Sequence, residues 1–116
     1  MSRLTVENAL KSLNGHAQPF KELFNHGSLS VEIYKPVGVD HQQPHTRDEL
    51  YVIATGFGYF VKGGTSEDSY RQRFEKGEVL FVPAGVEHRF EDFSDDFSTW
   101  VFFYGPEGGE ALCENN

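Results

Sequence analysis

Three residues of this chain have the types needed to hold a divalent metal ion between them. His45 and Glu49 stand four apart, and His88 follows the turn Pro83-Ala84-Gly85. Two imidazoles and one carboxylate suit a first-row divalent metal and leave coordination positions open. Gln43 lies two residues before His45 and shares its face if the segment is extended, because side chains alternate along a strand. Pro44 argues against a helix there. Spacing alone leaves a second reading open, in which these are solvated surface groups beside turns.

The elements that must position them are short strands. From Phe20 onward, segments rich in β-branched and aromatic residues alternate with turn signals. Strands are expected at Phe20–Asn25, Leu29–Lys35, Glu49–Ala54, Gly58–Lys62, Tyr70–Phe74, Val79–Val82, His88–Asp92 and Thr99–Tyr104. The turns between them include Gly27-Ser28, Gly56, Gly63-Gly64 and Lys76-Gly77. Thr46-Arg47-Asp48 also reads as a turn, so the chain folding back there could set Glu49 beside His45. Many short strands with close turns imply an all-β sandwich or small barrel. Ahead of them, Val6, Ala9, Leu10 and Leu13 form one stripe of a short helix, with Thr5 as its cap and Gly15 as its end.

The chain has 116 residues, enough for one modest core. One domain is expected over 1–116, with a helix and lead-in over 1–18, a barrel over 19–105 and a C-terminal tail over 106–116. The formal net charge of −8 disfavours nucleic acid and anionic membrane surfaces as partners. No apolar run approaches the length of a membrane span. Met1 to Thr5 lack the apolar core of a signal peptide. The single cysteine, Cys113, has no internal disulfide partner and reads as inert. A cytoplasmic protein is the expectation.

The two segments around the candidate ligands resemble the paired motifs of the cupin superfamily, as found in its small single-domain (monocupin) barrels. The first motif is Gly, five residues, His-x-His, three or four residues, Glu, six residues, Gly; His45, Glu49 and Gly56 fit it. The second is Gly, five residues, Pro-x-Gly, two residues, His, three residues, Asn; Gly77, Pro83, Gly85 and His88 fit it. This sequence departs from the pattern at Gln43, which stands at the first His, at Gly38, which is one residue too close, and at Asp92, which replaces Asn. The resemblance implies a small cupin-type (jelly-roll) β-barrel with a short N-terminal helix. It implies one divalent ion (Fe, Mn, Ni or Zn) on His45, Glu49 and His88, with Gln43 as a fourth ligand.

Strand alternation then extends the site. With Glu49 inward, Tyr51 and Ile53 face inward too, and with His88 inward so do Phe90 and Asp92. Phe81 is expected in the same pocket. His41 is expected at its rim, exposed to solvent. Trp100, Phe102 and Tyr104 share one face of the last strand and Val101 and Phe103 the other, which calls for cover on both sides and hints at a homodimer.

A fold does not fix a function. One reading is a metalloenzyme acting on a small organic molecule, a dioxygenase first, with Tyr51 or His41 as acid–base groups. An isomerase or lyase would use the metal as a Lewis acid. A second reading is a non-catalytic barrel that binds a small, sugar-like ligand. A third is a structural barrel with a decayed site.

Overall fold

The computed structural model describes residues 3–63 and 70–111. Cys113 and Gly64 lie outside them. Thr5 caps helix α1 (Val6–Lys11), its Oγ1 accepting from the Asn8 N–H at 3.1 Å. The helix ends before Leu13. The Leu13 N–H bonds back to Leu10 in a tighter turn, and Gly15 takes the left-handed conformation at φ +74°.

The eight expected segments all form strands, each end within one residue of its expected place. They are β1 (Phe20–His26), β2 (Leu29–Tyr34), β3 (Asp48–Thr55), β4 (Phe57–Lys62), β5 (Tyr70–Glu75), β6 (Val79–Val82), β7 (His88–Glu91) and β8 (Ser98–Tyr104). They pair antiparallel into two sheets, in the orders β1-β2-β8-β3-β6 and β5-β4-β7.

The core lies between the sheets. From the larger come Tyr34, Tyr51, Ile53, Val82 and Val101; from the smaller come Phe60, Phe74 and Phe90. Phe90 packs on Phe97 at 4.7 Å and on Tyr51 at 4.9 Å between ring centroids, the tilted and edge-on arrangements that aromatic rings prefer. On the smaller sheet's outer face, the Arg71 guanidinium lies 4.0 Å over the Tyr59 ring, and Arg73 lies 5.5 Å over Phe57.

Gly56 alone separates β3 in one sheet from β4 in the other. It sits at φ +83°, and a β-carbon there would come within 2.6 Å of the Phe97 Cα. Only glycine fits a left-handed corner under such close backbone.

Two expectations about facing are corrected. On β6, Phe81 pairs with Leu50 on the outer face and is 43% exposed, whereas Leu80 and Val82 face inward. Four consecutive apolar residues carry no alternation that could set the parity. Asp92 follows β7 with φ +49°, which breaks the alternation, and its carboxylate turns outward onto Arg71 at 2.5 Å.

Candidate metal centre

Glu49 leads the inward row of β3, with Tyr51 and Ile53 behind it. In register it lies between Phe103 of β8 and Val82 of β6, which leaves it 1% exposed. His88 opens β7 and is buried. His45 ends the irregular segment before β3. The Gly85 N–H donates to the His45 carbonyl at 2.7 Å, tying that segment to the Pro-Ala-Gly turn that leads to His88. Buried Asp48 accepts the Ala84 N–H at 2.9 Å, a second tie between the same turn and β3.

His45, Glu49 and His88 each offer one donor atom, and all three lie within 4.8 Å of one another. Glu49 Oε1 is 3.4 Å from His88 Nε2 and 3.9 Å from His45 Nε2. Neither Glu49 oxygen has a hydrogen-bond partner, although both are buried. A buried carboxylate without partners is strongly disfavoured, and a cation between it and the two imidazoles removes the penalty. The donor set therefore fits a divalent metal.

The imidazoles are arranged for the same purpose. His88 Nδ1 lies 2.9 Å from the Val86 carbonyl, which takes its proton and leaves Nε2 turned to the site. Burial pushes His88 down, but the Glu49 carboxylate 3.4 Å from Nε2 and the Val86 carbonyl at Nδ1 outweigh burial and leave it raised. Burial lowers His45, only partly opposed by Glu49. Tyr51 is fully buried, and burial beside Glu49 pushes its phenol well above its ordinary value, so it keeps its proton. The Tyr51 hydroxyl lies 3.0 Å from both Gln42 Oε1 and His88 Nε2. One proton cannot serve two acceptors, so a free imidazole lone pair there is available to a cation.

The glutamine in contact with this cluster is Gln42. Its Oε1 is 3.3 Å from His45 Nε2, while Gln43 is exposed at the cavity wall. Alternation places Gln43 on the face of His45, but residues 41–45 form no strand, so alternation does not hold. Buried Asp40 is the second residue that the sequence reading missed. It accepts from Gln42 Nε2 at 2.6 Å, from the Phe90 N–H at 2.8 Å and from the Tyr34 hydroxyl. Pro44 was the available sign that pairing would fail in this stretch.

A cavity of about 1030 Å³ opens at His45 and Glu49, with buried His88 behind its lining. Leu10, Leu13, Val37, Val39 and Phe103 give it apolar walls, and exposed His41 lies on its lining. Ile53 and Phe90 are buried in the core behind it. Glu32 also lines the cavity; burial, with Glu22 and Glu49 adding repulsion, pushes its carboxyl up to about 7. The protonated form is thus favoured in the folded chain, so its contribution to stability is full below the ordinary pKa of about 4.3 and is lost as pH rises through 7. Glu32→Gln is expected to leave the melting temperature unchanged at pH 4 and to raise stability at pH 8 by roughly 1 kcal/mol, after allowance for solvent screening. Equal effects at both values would show that Glu32 titrates normally.

The family model that matches this sequence is described as the ARD/ARD' family, and it covers residues 39–111, which include all three donors. The chain belongs to that family. Among curated relatives of this ARD/ARD' chain is the uncharacterised protein SCO3923 of Streptomyces coelicolor. It is 37% identical over 107 residues, which is 90% of this chain and 95% of the relative. The acireductone dioxygenase of Leishmania infantum is 30% identical over 101 residues, 84% of this chain but 29% of the relative. The chain spans about a quarter to a third of the length of the acireductone dioxygenases it matches. Among solved structures, a cupin 2 conserved barrel domain protein of Salinispora arenicola superposes with a TM-score of 0.60 at 19% identity, over 74% of each chain. That likeness shows the fold, a cupin barrel. Among the described residues of the ARD/ARD' chain, no helix is long and apolar enough to cross a membrane.

Proposed function

We propose that this chain is a metal-dependent dioxygenase acting on a small, enediol-like molecule of the acireductone class. One observation carries the reading: Glu49 is buried, has no hydrogen-bond partner, and has two imidazole nitrogens within 3.9 Å, at the wall of a cavity large enough for a small substrate. Family membership and the names of the acireductone dioxygenase relatives support the substrate class.

His45, Glu49 and His88 would hold the ion. When bound, it would supply Lewis acidity towards an enediol and, as iron, electron transfer with dioxygen. The chain's own groups do the rest. The Tyr51 hydroxyl holds a proton at the site, beside the place where a substrate oxygen would arrive. Leu10, Leu13, Val37, Val39 and Phe103 offer apolar surface to the body of a small substrate. Of the cations, Lys35 is on the lining, but its Nζ donates to the Asp95 carbonyl at 2.7 Å.

Protein purified without a tag or chelator should contain near-stoichiometric iron, manganese, nickel or zinc, and should consume dioxygen when given an acireductone. His45→Ala and His88→Ala should each lose both properties. Metal retained by both variants would sink the ligand assignment; metal without dioxygen uptake would sink the reaction.

The same reading takes the chain to be a cytoplasmic homodimer. Its support is the lone cysteine and the outer face of the larger sheet, where Val79 is 61% exposed beside Phe81. A monomeric mass by sedimentation would remove the dimer.

A further inference from the structure

The three recognised donors belong to a larger closed ring. From His45 Nε2 it runs 3.3 Å to Gln42 Oε1, 3.0 Å on to the Tyr51 hydroxyl, and 3.0 Å to His88 Nε2. It continues 3.4 Å to Glu49 Oε1 and returns to His45 Nε2 after 3.9 Å. Ligands held about 2.0–2.2 Å from one ion, at right angles, lie about 3 Å apart. The Gln42 oxygen thus stands at the spacing of a ligand from His45 Nε2.

Its orientation is fixed from behind. Gln42 Nε2 lies 2.6 Å from Asp40 Oδ2, and an ionised carboxylate only accepts, so the nitrogen end must face Asp40. The oxygen end must then face the ring, where Tyr51 donates to it. Asp40 is itself held by the Phe90 N–H, the Gln42 N–H and the Tyr34 hydroxyl, and is only 8% exposed.

We propose that the Gln42 amide oxygen is a fourth, neutral donor of the metal centre and that Asp40 is the positioning residue that aims it. This rests on the metal reading above. A neutral oxygen in place of an imidazole lowers the relative preference for nickel and zinc and favours manganese and iron.

The test uses the full chain stripped of metal, titrated with Mn²⁺ by the electron-spin signal of the free ion, and then competed with Ni²⁺. Gln42→Leu should weaken Mn²⁺ binding at least about tenfold. Gln42→His should move the Ni²⁺-to-Mn²⁺ preference at least about tenfold towards nickel. Asp40→Asn lets the facing amide turn over, so it should weaken Mn²⁺ in the native background and have no further effect in Gln42→Leu. A purely structural Asp40 would weaken both backgrounds alike, which overturns its positioning role. Unchanged Mn²⁺ affinity in Gln42→Leu, with binding still lost in His45→Ala, overturns the fourth donor and leaves the metal reading standing. If Gln42→Leu does not fold, an unmoved nickel preference in Gln42→His overturns it equally. Failure of the native chain to bind either ion sinks both readings.

Discussion

Glu49→Gln is expected to abolish metal binding and, at the same time, to make the metal-free protein more stable. The carboxylate is the only charged donor among His45, Glu49 and His88, so its loss should weaken a divalent ion by more than about a hundredfold, beyond the 10- to 100-fold that loss of a supporting partner brings. Without metal, the same carboxylate is buried with both oxygens unpartnered. A neutral amide of the same shape removes that charge and can donate towards His88 Nε2. The gain should be about 1–3 kcal/mol, the usual penalty of an unsatisfied buried group. Metal titration together with thermal melting in chelator checks both halves. Unchanged affinity would remove Glu49 from the ligand set. A lower melting temperature in chelator would mean that the carboxylate is already well served in the free protein.

The second large effect lies away from the ligands. Gly56→Ala should destabilise the chain by about 3–4 kcal/mol, a large part of the 5–15 kcal/mol typical of a domain. About 1–2 kcal/mol comes from forcing an L-residue to φ +83°, and the remainder from a methyl group driven against the Phe97 backbone. Urea unfolding would measure it. A loss under about 1 kcal/mol would show that the Phe97 turn yields easily. The variant should also weaken the metal centre indirectly, because β3 carries Glu49 and runs directly into this corner.

Where the sequence had strong periodicity, it was a good guide to the fold. Glu49, Tyr51 and Ile53 alternate with half-buried Leu50 and Val52, and they face inward as that pattern requires. His45 and His88 stood out because the segments that hold them resemble the paired cupin motifs, and the fold brings both beside Glu49. Phe81 was misplaced because Val79-Leu80-Phe81-Val82 is apolar on both faces, so only its pairing with β3 sets which side points in. Asp92 was misplaced because one left-handed residue ended the alternation. Gln42 and Asp40 were hidden for a different reason. Their positions are set by hydrogen bonds to Tyr34, Tyr51 and Phe90, residues distant in the chain, within a stretch that has no repeating geometry to read.

The cavity wall formed by Leu10 and Leu13 bears on how the protein should be handled. Leu10 lies on helix α1, which Thr5 caps, so a peptide attached ahead of Thr5 begins within about two helical turns of that wall. Ten added residues reach about 33–36 Å when extended, comparable to the molecule's own 44 × 34 × 24 Å extents. An oligohistidine tag at that end would bring a second set of imidazoles to the same ion. Metal content and selectivity measured on such a fusion would report on the tag as well as the barrel, and a tag that is cleaved away avoids the ambiguity.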